Sequence, residues 1–265
     1  MRRLFLTFPP DDGTTAGWIA LRNLRGGDEE AIGGTDTAAA IGLLDRLLVD
    51  TKGAALRPGE ADRLTACDRD RLLAEIYVAE FGDRIDCVLR CEACGSPFDI
   101  DFKLGDLLAS AGLLPVDIAF ARNSTVTLDD GRRLRLPRGS DELALQGMSA
   151  EAAEAALLAR CIVEGDAAPG DLAVHDALEA AAPILDTELD ATCPECGAPT
   201  QTHFDLQHYL LTSILQEMPA RTAEVHLLAS TYGWSLHEIL ELDRKRRRAF
   251  AAAIERDRGA HAGSF

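Results

Sequence analysis

Apolar positions in the first sixty residues come in short clusters: Phe5 and Phe8, then Trp18, Ile19 and Leu21. Pro9, Pro10, Asp11, Asp12 and Gly13, and later Gly26 and Gly27, break them apart. Clusters of this kind predict short strands separated by turns. A different period begins after Gly33 and Gly34, where Ile41, Leu44, Leu47 and Leu48 recur near every 3.6 residues and predict a helix over about 36–49. The stretch 53–59 reads as a loop or short strand. Thr65, with Asp68 three residues on, forms a weak capping box for a helix over about 68–81. That helix places Leu72, Leu73, Ile76 and Tyr77 on one face and stops at Gly82.

Residues 85–90 and 97–102 read as strands, and 104–113 as a short helix or turn. The stretches 124–128 and 134–136 flank Asp130-Gly131, the clearest hairpin signal in the chain, with the Asp-Gly pair supplying the positive φ angles of a tight turn. Pro137 and Gly139 end it. Helices are predicted over about 149–163 and 172–181. The C-terminal third is helical over 206–216 and 220–230 and breaks at Gly233. One further helix over about 236–255 opens at the capping box of Ser235 and Glu238. Residues 256–265 read as a fraying tail.

The 265 residues are 47% hydrophobic and 27% charged, enough to bury a sizeable core. Lys and Arg number 27 against 44 Asp and Glu, a net charge of −17. That balance disfavours binding of nucleic acid or an anionic membrane by the whole surface, because such affinity comes largely from neutralising phosphates. It leaves room for a local basic patch. No apolar run approaches the roughly 20 residues that span a bilayer. The start, with Arg2 and Arg3 followed early by Pro9, Pro10 and two aspartates, lacks the core of a secretion signal. The chain is therefore expected in the cytoplasm, where its seven cysteines serve as thiols or metal ligands rather than disulfides.

Two segments repeat. Cys91-Glu-Ala-Cys94-Gly95-Ser-Pro97 runs on to Phe102 and Leu104. Cys193-Pro-Glu-Cys196-Gly197-Ala-Pro199 runs on to Phe204 and Leu206. Each is a knuckle followed by a strand. A Cys-x-x-Cys turn lets two thiolates reach one ion, and a glycine after the second cysteine permits the positive φ the turn needs. Two knuckles supply four sulfurs, so Cys91, Cys94, Cys193 and Cys196 are expected to hold a structural Zn2+ in a zinc ribbon. A closed four-thiolate shell leaves no position for a reactive water. The separation of the knuckles far exceeds the 15–20 residues of ordinary ribbons. Loop-closure entropy grows only logarithmically, so an inserted subdomain explains it. A redox pair or a disulfide is the competing reading of each motif. Cys67, Cys87 and Cys161 read as buried small apolar residues, with Cys87 the nearest spare ligand, and His203 and His208 as ordinary core or surface residues.

Phosphate-loop, nucleophile-elbow and His-Glu-x-x-His motifs are absent, and no pair of carboxylates has a setting that points to acid–base work. No enzyme and no small-molecule substrate are expected. Gly26-Gly27 and Gly33-Gly34 read as turns. Arg244, Lys245, Arg246, Arg247 and Arg248 form a basic run that is either a solvated helix face or a docking patch for an acidic partner. Tyr232 and Trp234 flank Gly233 at a tight corner between helices, as core packing or as an interface anchor.

Taken together, several segments resemble a known family. They are Thr65-Ala-Cys-Asp-Arg-Asp-Arg-Leu-Leu, Phe81-Gly82-Asp83-Arg84, the knuckles, and Leu136-Pro137-Arg138-Gly139-Ser140-Asp141. Toward the end come Glu224-Val225-His226-Leu227-Leu228-Ala229, Tyr232-Gly233-Trp234-Ser235, Glu238-Ile239-Leu240 and the arginine run. The resemblance is to the baseplate hub assembly chaperones of contractile phage tails and their relatives in extracellular contractile injection systems, in a zinc-bearing branch. It covers most of the chain from about residue 60. It implies a non-enzymatic protein that binds baseplate or tail proteins, with Tyr232, Trp234, Arg244, Arg246, Arg247 and Arg248 as candidate partner-binding residues. The alternative is a zinc-ribbon nucleic-acid-binding or regulatory module.

The expected fold is α+β. An N-terminal mixed segment (1–60) precedes a helix with the first knuckle (61–110) and an inserted hairpin-plus-helices subdomain (111–184). The second knuckle (185–206), C-terminal helices (207–257) and a flexible tail (258–265) follow.

Overall fold

The computed structural model describes residues 1–10, 17–113 and 124–262. Two short strands, β1 (Arg2–Phe5) and β2 (Trp18–Leu21), pair antiparallel, with Arg2 opposite Leu21 and Phe5 opposite Trp18. All four β2 residues are buried. Gly26 and Gly27 open a short helix, α1 (Gly26–Glu30), where a turn is expected from sequence. Helix α2 (Thr37–Leu47) starts at Asp36, whose carboxylate accepts the Ala39 N–H, and buries Ile41, Leu43, Leu44 and Leu47.

Helix α3 (Ala66–Phe81) is capped by Thr65, whose hydroxyl accepts the Asp68 N–H, and ends at Gly82 with φ +93°. The expected capping box is only half made. The Asp68 carboxylate turns away and accepts the N–H groups of Thr7 and Phe8 at 2.7 and 2.8 Å. Two buried amides after β1 need an acceptor, and the carboxylate reaches both.

Two long hairpins follow the same plan. Strands β3 (Arg84–Arg90) and β4 (Pro97–Lys103) pair over seven residues, and α4 (Leu104–Ser110) leaves their base. Far along the chain, β8 (Asp186–Thr192) and β9 (Pro199–Asp205) pair over seven residues in the same register, and α8 (Leu206–Gln216) leaves their base. Between them lies a three-stranded sheet, β5 (Thr125–Thr127), β6 (Arg133–Arg135) and β7 (Ile162–Glu164), with α5 (Gly139–Ala144), α6 (Ala150–Cys161) and α7 (Leu172–Ala181). The Asp130-Gly131 hairpin forms, but only Gly131 takes a positive φ, +89°, since no residue other than glycine does among those described. The end of the helix expected over 149–163 becomes β7, because Ile162 pairs with Leu134.

The C-terminal helices are α9 (Met218–Tyr232), α10 (Leu236–Leu240) and α11 (Arg244–Ala262). Gly233 ends α9 in the left-handed region at φ +69°, and Ser235 and Glu238 form the expected box. The single helix expected over 236–255 is two. Asp243 starts a new one by accepting the Arg246 N–H at 2.9 Å. The helix end expected at about 255 lies further on: α11 continues through Ala262, and the last part of the expected tail, 263–265, lies outside the described residues. No helix among the described residues is long and apolar enough to cross a membrane.

One main core gathers β2, α2, α3 and α8 with the bases of both hairpins, through Ile85, Leu104, Leu185, Phe204 and Leu206. The result is a mixed α+β fold. Two charged plugs hold its pieces together, and they share a sequence pattern, Arg-x-x-Arg-Gly-x-Asp-Glu, at 22–29 and 135–142. In each, the first arginine grips the aspartate with two nitrogens: Arg22 on Asp28 at 2.5 and 2.7 Å, and Arg135 on Asp141 at 2.6 and 2.7 Å. The N–H of the second arginine donates to the same carboxylate at 3.0 Å, from Arg25 and from Arg138. The glycine N–H then donates to the residue before a distant helix cap: Gly26 to the Leu242 carbonyl at 3.3 Å and Gly139 to the Leu64 carbonyl at 3.0 Å. The glutamate takes an arginine of that same helix, Arg247 on Glu29 at 2.8 Å and Arg69 on Glu142 at 2.9 Å.

A side chain at either glycine would collide. A Cβ on Gly26 would lie 2.8 Å from Arg247 Nη1, and one on Gly139 would lie 2.6 Å from Ile41 Cδ1. The plug is thus a compact docking unit that the fold uses twice, each time against the start of a helix from elsewhere in the chain.

Asp141 is the centre of the second plug. Burial alone would raise its carboxyl, but Arg135, the Arg138 amide and Arg160 hold it down to about 2. A carboxylate depressed in the folded state stabilises the fold above its unfolded value near 4 and loses that stabilisation as pH falls toward 2. The contribution is about 2 kcal/mol. In denaturant titrations, Asp141→Asn is expected to lose about 3 kcal/mol at pH 7, because it strands two arginines. It should also show a correspondingly shallower fall in stability between pH 4 and 2 than the wild-type chain.

Candidate metal centre

Each hairpin tip is a knuckle fixed by its own backbone. In the first, the Cys91 N–H donates to the Ser96 carbonyl at 3.0 Å and the Gly95 N–H to the Cys91 carbonyl at 2.8 Å. In the second, the Cys193 N–H donates to the Ala198 carbonyl and the Gly197 N–H to the Cys193 carbonyl, both at 2.9 Å. Gly95 and Gly197 have φ of +74° and +70°, a conformation that a side chain would strain. The two turns are near copies, as the repeated sequence requires.

The hairpins lie face to face. Residues alternate along each strand, so Leu89, Phe98 and Ile100 point inward from one, and Ala191 and Ala198 from the other, around Cys91 and Cys193. Nearer the bases the repeat-related Phe102 and Phe204 meet edge to face at 5.4 Å between centroids. Most outward positions are polar, and the carboxylates Asp86, Asp99, Asp101, Asp186, Glu188 and Asp190 outnumber the cations Arg84, Arg90 and Lys103.

This packing brings together four sulfurs from two turns. Cys91 Sγ lies 3.6 Å from Cys196 Sγ, and Cys94 Sγ lies 3.8 Å from Cys193 Sγ. All four sulfurs lie within 4.8 Å of one another, and they form the one such group of His, Cys, Asp and Glu among the described residues. Sulfurs at the corners of a tetrahedron of radius about 2.3 Å stand about 3.8 Å apart. A disulfide would require about 2.05 Å. The spacing therefore suits a shared ion of the zinc type and does not suit crossed disulfides. Cys91 and Cys193 are buried, and Cys94 and Cys196 face solvent.

The thiol electrostatics point the same way. The Cys94 amide leads a set of hydrogen bonds that bring Cys91 down to about 6, and the Ser96 hydroxyl and amide lower Cys94. Cys196 receives the Ala198 amide, which lowers it, yet the neighbouring Cys91 and Cys94 sulfurs push it up to about 12. Amides aimed at sulfur favour thiolates, while four thiolates together repel. A cation removes that conflict.

The other cysteines stand apart from this group. Cys161 is buried, as expected, and burial raises it to about 11; Cys87 is only half-buried rather than buried, and burial raises it as well. His203 engages Asp186 at 2.8 Å and Glu188 at 3.2 Å on the outer hairpin face, and His208 Nδ1 lies 3.1 Å from the Thr35 hydroxyl, so neither supplies a fifth ligand. Asp70, which sequence patterning does not single out, sets the second hairpin against α3. Its buried carboxylate accepts the Leu185 N–H at 2.8 Å, and burial pushes it up to about 6.

The candidate partner-binding residues divide. Tyr232 and Trp234 pack on each other at 4.9 Å and both meet Phe250, and Tyr232 keeps 43% of its surface exposed. Arg244 and Arg247 are only 2% exposed, which corrects the expectation of a basic patch. Arg244 pairs with Glu217 at 2.8 Å and lies over the Phe81 ring. Arg247 is held by Glu29 and Glu224. Arg248 is half exposed but pairs with Glu217 and Glu224, and Arg246 is exposed. The sequence carries both plugs as a repeated Arg-x-x-Arg-Gly-x-Asp-Glu spacing, but Gly26-Gly27 look locally like a turn, and Pro137 and Gly139 like the end of a hairpin.

A thiol assay on the purified, metal-loaded chain is expected to show four cysteines protected until a chelator is added, with one equivalent of bound divalent metal. Cys193→Ser should lose the metal and lower the Tm by about 10 °C or more. Unchanged metal content and Tm in that variant would contradict the shared site.

With the fold and this geometry in place, no protein-family model matches the chain, and no curated protein or solved structure matches it.

Proposed function

We propose that this protein is a non-enzymatic assembly or structural component of a phage-tail-like contractile injection apparatus. It works in the cytoplasm by protein–protein contacts, with one structural Zn2+ held by Cys91, Cys94, Cys193 and Cys196 in a split zinc ribbon. The observation that carries the scaffold part is the convergence of two knuckles, 102 residues apart in sequence, on one four-sulfur cluster. Four thiolates close a tetrahedral shell, so the ion's work is to pin segments rather than to activate water. The baseplate part is supported by the sequence resemblance, whose most distinctive piece, Tyr232-Gly233-Trp234-Ser235, forms a half-exposed aromatic corner between α9 and α10. Aromatic residues in such partly open settings serve as interface anchors.

The nucleic-acid reading loses ground on two observations. The outer hairpin faces are acidic, and two of the arginines in the basic run are buried in ion pairs. A phosphate-binding surface needs exposed cations.

The test is to tag the chain at its own locus, purify it from the native host, and identify what comes with it by mass spectrometry. Baseplate or tail-tube proteins are expected in near-stoichiometric amounts. Tyr232→Ala combined with Trp234→Ala should reduce their recovery about tenfold or more while the bound zinc stays at one per chain. Recovery of the chain with no tail protein, or with nucleic acid instead, would overturn the reading.

A further inference from the structure

The two plugs are chemically alike but sit in different surroundings. The plug at 135–142 is sunk in the main body. Its glycine abuts Ile41 and the Asp62 carbonyl, its glutamate also takes the Thr37 hydroxyl at 2.9 Å, and its partner helix is α3 of the main core. The plug at 22–29 meets α11 instead. Helices α9, α10 and α11 have a small apolar cluster of their own, built on Leu228, Ile239 and Ile254, separate from the main core. What joins this lobe to the body is chiefly charge. Glu29, 1% exposed, faces Arg247 at 2.8 Å and Arg221 at 3.6 Å, Arg221 also approaches Glu30 at 4.0 Å, and Arg25 pairs with Glu241. Arg244 adds its stack on Phe81.

Charged groups buried in this way are held at a cost. Glu29 Oε1 and the Nη1 atoms of Arg221, Arg244 and Arg247 are buried without a hydrogen-bond partner. Removing ions from water is costly, and only well-completed pairing recovers the cost. When the lobe is docked, these atoms are withdrawn from bulk water and make no hydrogen bond among the described residues. When it is undocked, they regain hydration. The buried apolar clusters of lobe and body are separate, so each side keeps its own core through the exchange.

We infer that residues 218–262 form a latched arm. It closes on the body through the Glu29 plug and opens as a unit, hinged at Glu217 between α8 and α9, while the main core and the four-cysteine cluster stay folded. Opening frees the plug at 22–29 and the start of α11 together. Because the same plug is welded into the main core at 135–142, that second copy supplies an internal control.

The test is hydrogen exchange read by mass spectrometry on the full, metal-loaded chain, with Glu29→Gln and the matched Glu142→Gln. In the wild-type chain, amides of α10 and α11 are expected to exchange at least about tenfold faster than those of α3 and α8. Glu29→Gln should speed exchange across α9–α11 by a further hundredfold or so, leaving α3, α8 and the hairpins unchanged. Glu142→Gln should instead speed exchange throughout the main core. Exchange of α9–α11 in step with α3 in the wild-type chain would overturn the inference. So would a Glu29→Gln chain that speeds all helices alike, leaves α9–α11 unaffected, or fails to fold, since the lobe would then belong to the core.

Discussion

The fold depends on two similar hairpins being clamped at both ends. At their bases Ile85, Leu104, Leu185, Phe204 and Leu206 enter one apolar core. At their tips four sulfurs meet within 4.8 Å. Either closure alone would leave a two-stranded ribbon free to pivot, and an isolated hairpin is marginal in water. With both, the facing inner sides are fixed, and the edge-to-face contact of Phe102 with Phe204 sits between the two clamps. The register then matters. Both ribbons pair over seven residues in the same phase, so each cysteine pair reaches the tip at the same height above the base. A slip of one residue in either would turn its inward side chains to solvent and move its sulfurs off the shared centre.

The rest of the chain is joined by charge as much as by apolar burial. The Arg-x-x-Arg-Gly-x-Asp-Glu plug solves one problem twice: how a short turn from one part of the chain can recognise the first turn of a helix from another. The helix start presents a preceding carbonyl and, in its first turn, an arginine side chain. The plug offers a glycine N–H to the first, a glutamate to the second, and room made by the missing Cβ. The bidentate arginine inside each plug holds its aspartate in one orientation. Where the plug lies in the main core, neighbouring apolar residues share the load, as Ile41 does against Gly139. Where it lies at Glu29, the charges carry more of it. The same local chemistry therefore gives a permanent joint in one place and a weaker one in the other.

Much of this was legible in sequence. The 3.6-residue period at Ile41, Leu44, Leu47 and Leu48 gave α2, the caps at Thr65 and Ser235 began helices where expected, and the doubled knuckle marked the four cysteines that the structure gathers. These features are local, each written in residues a few positions apart. What was missed is long-range. The Asp68 carboxylate belongs, by sequence, to a capping box, yet two amides sixty residues away claim it. The chain after Leu240 continues an acceptable helical pattern, and nothing nearby says that Asp243 will start again because Gly26 needs the Leu242 carbonyl. Arg244 and Arg247 look like surface cations until their partners, Glu217, Glu224 and Glu29, arrive from other elements.

That last misreading bears on how the molecule can meet a partner. A run of five basic residues on an acidic chain invites an electrostatic role, but burial removes Arg244 and Arg247 from it and Glu217 and Glu224 draw off Arg248. The same helix repeat that hides one face exposes the other, so Arg246 faces solvent while Arg247 faces Glu29. On the proposed function, a partner approaching the closed lobe meets the aromatic corner of Tyr232 and Trp234, with Arg258 beside Tyr232. On that reading, recognition rests more on shape and apolar contact than on long-range attraction, which would favour any polyanion. For a chain of net charge −17, a basic run spent largely on internal ion pairs leaves little of the exposed cationic surface that a nucleic acid would need.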